Sequence, residues 1–303
     1  GVLFSMAHGF GANTYSYEMA FVDKLLEMEN ANDKNNSVGI VCHDSVGFGL
    51  TERPRTDLIK YTKVFNAKCL KAMAKKYAGK GKKKKKVVYV GHSLGTIAAT
   101  LTTTLEGDGD NDTTKPAAIV LIAPAINVKW TAQKKALAMV GEVIAKATPN
   151  MKVVPATTMQ SLTEDAATAR EFEEDPFNYV GKARARFGNE ILKAMKGLEK
   201  ASESGRLDGI TRNILAVHAE KDAATCAQST ERLFSRSLKS IPNKQFVKLT
   251  HTKGHLLLHE PGCEWTRALI GRFLVEAVLE MKNSNSSSSS LASSSESSSE
   301  SSS

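Results

Sequence analysis

The chain has 303 residues, and 41% of them are hydrophobic, which is enough for one large core domain with an inserted or appended piece. No apolar run approaches the roughly 18 residues that a membrane-spanning helix requires. The net charge of +9 raises the possibility of a nucleic-acid-binding protein, but no motif of that class is present. Much of the charge lies in Lys80 and the run from Lys82 to Lys86, so we predict a solvated loop and no nucleic-acid partner.

Short apolar runs alternate with longer helical patterns along the chain. This alternation predicts β-α-β units and a largely parallel sheet whose strands are covered on both faces. Because Gly1 leads directly into a strand, we expect that N-terminal strands of the fold are missing from this chain. The predicted strands are Val2–Ala7, Val38–His43, Val87–Gly91, Ala117–Ile122, Ile214–His218 and Gln245–Thr250. The predicted helices are Tyr17–Glu29, Leu58–Tyr77, Leu94–Leu105, Thr225–Ser237 and Glu264–Met281.

Two segments depart from this alternation and divide the chain. Residues 127–205 are rich in helix formers and separate two strands of one sheet, so they predict a helical cap inserted into the core. The core then consists of residues 1–126 and 206–282. Residues 283–303 are almost all serine, a composition that cannot bury enough apolar surface to fold, and we predict a disordered tail.

One cap segment, Lys134–Lys146, has the pattern of an amphipathic helix flanked by lysines. Its apolar face carries Leu137, Val140, Val143 and Ile144. A helix of this kind can rest on a membrane surface, which predicts peripheral membrane contact through the cap. A lid packed on the core is the favoured alternative.

The candidate nucleophile is Ser93, in the sequence Gly91-His92-Ser93-Leu94-Gly95. A predicted strand precedes this G-x-S-x-G motif and a predicted helix follows it. In that setting the serine occupies a strained turn that raises its hydroxyl above the sheet edge. The pentapeptide alone occurs by chance in about one chain in ten of this length, so the strand and helix supply most of the specificity. The alternative is a structural turn serine.

Acyl transfer also needs donors for the oxyanion of the tetrahedral intermediate. The backbone N–H of Leu94, directly after the nucleophile, is one candidate. The second is the N–H of Phe10, because His8-Gly9-Phe10-Gly11 follows an early strand. A simple tight turn is the alternative for this loop.

The base must be a histidine that follows the nucleophile in the chain, in the order Ser, Asp or Glu, His. His255 lies in the loop after the last strand, where it could reach over the sheet edge. His251 and His259 remain open as alternatives. The pair His255 and His259 lacks the H-E-x-x-H pattern and a third ligand, so no metal is predicted.

The acid that orients this base is predicted to be Asp222, which follows the strand Ile214–His218. Glu220 is the local rival, but it stands closer to the strand and is better explained as a solvated strand end. Asp44 precedes Ser93, and we predict that it shapes a glycine-rich turn.

Together these motifs resemble the monoacylglycerol lipase group of α/β-hydrolases, of the serine aminopeptidase S33 or Hydrolase-4 type. The resemblance implies the α/β-hydrolase fold, a lid over a hydrophobic acyl channel, and substrate-binding residues within 127–205. It carries the roles of nucleophile, acid and base onto Ser93, Asp222 and His255. The matching positions are His8-Gly9, His43 to Gly49, Gly91 to Gly95, Pro149-Asn150, Asp175-Pro176 with Gly188 and Leu192, and Gly254 to Glu260.

The function expected from these residues is hydrolysis of a carboxylic ester, with a monoacylglycerol or related lipid ester as substrate. Ser93 would form an acyl-enzyme and no cofactor would be needed. An acyltransferase or thioesterase with the same triad, and a non-catalytic binding protein, are the alternatives. An intracellular location, whether cytoplasmic, membrane-associated or plastid, is favoured.

Overall fold

A computed structural model of the chain describes residues 1–15, 38–51, 56, 65–79, 81, 84–105, 112–155, 158–208 and 210–292, with side chains to residue 277. Six parallel strands form one sheet in the order β2-β1-β3-β4-β7-β8. These strands are β1 Val2–Ala7, β2 Val38–Cys42, β3 Lys86–His92, β4 Pro116–Ile122, β7 Asn213–Ala219 and β8 Asn243–Leu249. Two short antiparallel strands, β5 Lys152–Val154 and β6 Ala183–Arg184, lie in the stretch between β4 and β7, which we call the cap.

Helices cover both faces of the large sheet. The described helices are α1 Phe65–Tyr77, α2 Gly95–Leu101, α3 Ala132–Ala147, α4 Met159–Leu162, α5 Ala166–Glu174, α6 Ala185–Glu203, α7 Ala227–Arg236 and α8 Cys263–Ala292. Successive residues of a strand face opposite sides of the sheet, so Leu3 packs in the cluster with α1, α2 and α7 while Phe4 packs in the cluster with α8. This double coverage explains why the inner strands are apolar nearly throughout, whereas the edge strand β8 is half-buried and carries Lys244, Gln245 and Lys248.

All six predicted strands are present, with ends within two residues of the predicted ones. The predicted helix over residues 94–105 is α2 followed by a short 3-10 turn, Thr102–Thr104. The predicted helix Tyr17–Glu29 and the first part of Leu58–Tyr77 lie outside the described residues.

The last helix, α8, extends further than the sequence predicts. It ends at Ala292, so the backbone of residues 283–292 is helical in a segment that we predicted to be disordered. Residues 293–303 lie outside the described residues.

The cap helix α3 buries only part of its apolar face. Leu137 and Ile144 are half-buried, whereas Val140 and Val143 are exposed, as is Met139. At 100° per residue the four predicted positions span an arc of about 120°, and the core covers only one side of that arc. The exposed side is an apolar strip on the outer surface of the cap.

Two glycine-to-alanine substitutions test how closely strand and helix approach at the end of β1. A Cβ on Gly95 would lie 2.1 Å from the backbone carbonyl oxygen of Ala7, whereas a Cβ on Gly141 in α3 would meet no atom within 4 Å. We expect Gly95→Ala to lower the free energy of unfolding by about 1–3 kcal/mol or more. Gly141→Ala should raise it by roughly 0.5–1 kcal/mol. Urea unfolding measures both changes. A Gly95→Ala variant with the same free energy of unfolding as the wild type would contradict this packing.

Candidate active site

Ser93 lies in the turn that joins β3 to α2. Its φ of +50° places this non-glycine residue in the left-handed region, a strained conformation that needs support from its neighbours. The Ser93 N–H donates to the carbonyl of Ile122 at 2.9 Å, and the Ser93 carbonyl accepts from the N–H of Thr96 at 3.1 Å and of Ala125 at 3.2 Å. Gly91 permits the tight return, because a Cβ there would lie 2.6 Å from the Thr96 Cα.

A buried histidine–aspartate pair stands beyond the last two strands of the sheet. His255 Nδ1 lies 2.7 Å from Asp222 Oδ2, and both side chains are almost fully buried. Asp222 follows β7 and His255 follows β8, so the carboxyl ends of neighbouring parallel strands bring them together. Both residues were predicted from the sequence to lie at this edge, and in the structure their side chains are within hydrogen-bond distance of each other.

Further polar groups surround the Asp222 carboxylate. Oδ1 accepts from the backbone N–H groups of Ala224 and Thr225, and Oδ2 accepts from the Thr225 hydroxyl at 2.9 Å. Burial acts to raise the pKa of Asp222, but the charge of His255 and hydrogen bonds from His218 and His255 outweigh it, so this pKa lies well below its usual range. Asp222 is therefore a fixed anion beside His255.

Ser93 and His255 lie at the same edge of the sheet. The ring of His92, next to Ser93, is 5.1 Å from the ring of His255, and His92 Nε2 lies 3.3 Å from the His255 carbonyl oxygen. Both residues are described, and no hydrogen bond joins the Ser93 hydroxyl to His255 in this structure. Such bonds are often long in the absence of substrate and shorten in the reacting complex.

The rival acid and bases stand elsewhere. Glu220 is on the surface, where Lys248 Nζ lies 3.6 Å from its carboxylate. His251 is exposed and contacts the ring of Trp265. The N–H of His259 donates to the Leu256 carbonyl at 2.8 Å, within the turn that precedes α8.

His8 fixes the loop that carries the predicted oxyanion donor Phe10. His8 Nε2 accepts from the N–H of Ser45 at 2.8 Å, so its proton is on Nδ1, which lies 2.8 Å from the Gly9 carbonyl. That carbonyl belongs to the same peptide group as the Phe10 N–H, and His8 therefore orients this donor. A Cβ on Gly9 would lie 3.1 Å from the Ser93 Cβ, which shows how closely the loop approaches the serine.

Asp44 has the turn-shaping role predicted for it. Its Oδ1 accepts from the N–H of Thr14 at 2.8 Å, and its Oδ2 accepts from the N–H of Leu50 at 2.8 Å. Gly49 has a φ of +54°, and a Cβ there would overlap the Asp44 carboxylate. The glycine-rich turn thus closes around the carboxylate and contacts the loop after β1.

The cap braces two of these loops. The N–H of Tyr179 donates to the Gly11 carbonyl at 2.7 Å, and Asn13 Nδ2 donates to Asp175 Oδ2 at 2.9 Å. On the other side, the N–H of His255 donates to the carbonyl of Leu162 at 2.6 Å. The positions of the oxyanion loop and the base loop both depend on the cap.

An apolar cavity of about 220 Å³ lies between cap and core and reaches Ser93. Phe10 and Leu94 line it from the core side. Its cap walls include Leu137, Ile144, Phe187, Ile191 and Met195. A concave apolar site with few polar groups, opening onto a serine, is typical of a pocket for a small apolar ligand.

The fold and this site define the class of the protein as an α/β-hydrolase: a parallel sheet covered on both faces, with a serine at a strand-to-helix turn and a helical insertion over it. Residues 4–262 match the family model described as serine aminopeptidase, S33 (Hydrolase_4), and the chain belongs to this family. The fold class and family resemblance predicted from the sequence are confirmed.

Solved structures with the same fold include several lipases and esterases. A monoacylglycerol lipase from Paleococcus ferrophilus is 17% identical, with a TM-score of 0.71 over 91% of this chain and 95% of that one. A soluble variant of monoglyceride lipase from Saccharomyces cerevisiae is 16% identical, with a TM-score of 0.68 over 91% and 86%. A carboxyl esterase from Bacillus coagulans is 13% identical, with a TM-score of 0.66 over 90% of each chain. No curated protein matches the sequence.

Sequence reasoning missed three polar residues that support the site. The sequence identifies His8 only as part of an H-G pair, and His218 lies inside a predicted strand, where the local pattern gives it no role in the site. In the structure His218 Nε2 lies 3.2 Å from Asp222 Oδ2, with both side chains fully buried. Thr225 also bonds Asp222, and its position three residues later is the signature of a side-chain turn that the sequence could have revealed.

The burial of His8 makes stability depend on pH. Burial lowers the pKa of His8 from 6.5 to about 4, so the unfolded chain binds a proton that the folded chain does not. The stability from neutral His8 is fully present above the unfolded pKa of 6.5 and is lost as the pH falls towards 4. This loss is about 3 kcal/mol.

Urea unfolding at pH 7 and near pH 4.5 should therefore show a smaller pH effect in His8→Gln than in the wild type. His251→Gln, at an exposed histidine, is the matched control and should retain the wild-type profile. Equal pH effects in His8→Gln and the wild type would exclude a buried neutral His8.

Proposed function

We propose that this protein is a serine hydrolase that cleaves carboxylic esters through an acyl-enzyme, with Ser93, His255 and Asp222 as nucleophile, base and acid. The observation that carries the proposal is a strained serine at the base of an apolar cavity, at the same sheet edge as a buried His–Asp pair. Membership in a hydrolase family and a fold shared with lipases and esterases support it.

In the proposed first step, His255 Nε2 removes the proton from Ser93 Oγ as that oxygen attacks the acyl carbonyl. Asp222 holds the proton on His255 Nδ1 and stabilises the positive charge that develops on the ring. Collapse of the tetrahedral intermediate breaks the bond to the alcohol oxygen, which takes the proton from His255. Water then attacks the acyl-enzyme by the same route and releases the carboxylic acid.

Two backbone donors are free to hold the oxyanion of this intermediate. In the described part of the chain, the N–H groups of Phe10 and Leu94 donate to no protein acceptor. Both residues line the cavity next to Ser93. Unpaired donors aimed at the reacting centre are what an oxyanion hole requires, because they gain their partner only as the charge forms.

The cavity favours a lipid ester, such as a monoacylglycerol, as substrate. Its walls are apolar side chains of the cap and core, which suit an acyl chain, and it opens onto Ser93. Two of the structures that share the fold are monoacylglycerol lipases, which agrees with this choice.

The outer surface of the cap suits contact with a membrane surface. Met139, Val140 and Val143 are exposed on α3, with relative exposures of 86%, 49% and 69%. Lys146 is exposed in the last turn of the same helix and could contact anionic headgroups. Within the described residues, no helix is both long and apolar enough to cross a membrane. The intracellular location stays a prediction from the sequence.

Labelling with a fluorophosphonate tests the nucleophile. The wild type should be labelled, because such probes react only with an activated serine, and Ser93→Ala should show no labelling above background. Heat-denatured wild type is the control for non-specific reaction. Labelling that persists in a folded Ser93→Ala variant would contradict the role of Ser93.

A pair of acidic-residue variants tests the acid. Asp222→Asn should lower kcat for an ester by about 10³- to 10⁴-fold with little change in KM, because the His255 tautomer is no longer held. Glu220→Gln, two residues away and on the surface, should retain wild-type kinetics. If Glu220→Gln lowered kcat strongly and Asp222→Asn did not, Glu220 would be the acid.

A further inference from the structure

One charged side chain, Lys134, lines the cavity that reaches Ser93, and it is the single charged residue among the described lining residues. It lies in the first turn of α3. Its Nζ donates to the carbonyl oxygen of Lys129 at a distance of 3.3 Å. Both residues are described, and no carboxylate of the described chain forms an ion pair with this ammonium group.

Lys134 places a cation in a cavity wall that is otherwise uncharged in the described chain. A lysine ammonium has three donors, and here one of them has a long, solvent-exposed hydrogen bond to a neutral acceptor. Lys134 is half-buried, and burial lowers its pKa, an effect that the charge of Asp222 opposes only in part. A bound anion would supply a counter-charge and a charge-assisted acceptor for this group.

The ammonium group lies on one side of the cavity, next to the carbonyl oxygen of Lys129. The N–H of Lys129 donates to the carbonyl of Ala224 at 3.0 Å, and Val128 pairs with Thr225, so this segment is tied to the loop that carries Asp222. The Lys134 backbone is held as well, because its N–H donates to the Thr131 side chain that caps α3. The cation therefore stands on the acid-loop side of the cavity.

We propose that Lys134 is a specificity-determining residue that binds an anionic group of the substrate. The preferred substrates are then esters that carry a carboxylate or phosphate together with an apolar chain. This inference rests on the proposed ester hydrolysis and revises its substrate class, because a monoacylglycerol carries no anionic group and would be a poorer substrate than an anionic lipid ester. The anionic group could belong to the acyl half or to the alcohol half of the ester, and the experiment separates the two.

The test compares matched charged and neutral esters. The acyl-half pair is the monomethyl and dimethyl ester of suberic acid. The alcohol-half pair is the octanoyl ester of hydroxybutanoate and that of hydroxybutanamide. In the wild type, kcat/KM should be higher for the charged member of one pair.

Lys134→Met should lower kcat/KM for that charged ester by about 10- to 100-fold, since a charge-assisted contact is lost. Its neutral counterpart should change by less than about threefold, because methionine keeps the apolar stem of the side chain. Lys135→Met is the matched control: this neighbouring lysine is exposed and does not line the cavity. Lys135→Met should leave all four rates unchanged.

Binding provides a readout that does not depend on catalysis. In a Ser93→Ala background, calorimetry should show tighter binding of the monomethyl suberate or hydroxybutanoate ester than of its neutral counterpart. Adding Lys134→Met should abolish that difference, and raising the salt concentration should reduce it.

The outcomes distinguish the two proposals. Ester hydrolysis with equal effects of Lys134→Met on charged and neutral esters, or with no effect, would overturn the role of Lys134 and leave the hydrolase function intact. If the folded wild type is neither labelled by the fluorophosphonate nor hydrolyses any ester, the proposed function itself is overturned. A charge preference in binding that survives Lys134→Met would also exclude Lys134 as the anion site.

Discussion

The left-handed backbone of Ser93 is the constraint on which the site depends. A non-glycine residue with a φ of +50° persists only if its surroundings over-determine it. Here the supports are the hydrogen bonds to Ile122, Thr96 and Ala125, together with the glycine that lets β3 turn back against α2. These supports lie at the carboxyl ends of the two central strands, β3 and β4, and at the start of α2, so the position of the serine depends on the centre of the sheet.

The other groups of the site depend on contacts that are more distributed. The loop of Phe10 is oriented by His8 and tied to the cap through Gly11, and the loop of His255 is tied to the cap through Leu162. The cap therefore does more than cover the cavity. A change in its position would move the proposed base and one oxyanion donor together while leaving Ser93 in place.

Local sequence was sufficient to predict the sheet and the serine turn. Most strands are short apolar runs, and the G-x-S-x-G motif carries its own backbone requirement. Asp222 and His255 could also be predicted from the sequence. Each follows a predicted strand, and parallel strands bring their carboxyl ends to one edge of the sheet.

What the sequence could not predict is long-range pairing of polar groups. The bond from Ser45 to His8 joins residues 37 positions apart, and nothing in either local pattern specifies it. The exposure of Val140 and Val143 likewise depends on which side of α3 meets the core, which its periodicity alone does not decide. The place of Lys134 in the cavity wall depends on how α3 packs over the core, which its local sequence does not specify.

The most direct test of the central claim is to trap the covalent intermediate. The wild type is mixed with an activated ester of octanoate, quenched in acid during turnover, and mapped by peptide mass spectrometry. We predict one added octanoyl group, located on the peptide that contains Ser93. Steady turnover without an adduct, or an adduct on another residue, would contradict acyl-enzyme catalysis by Ser93.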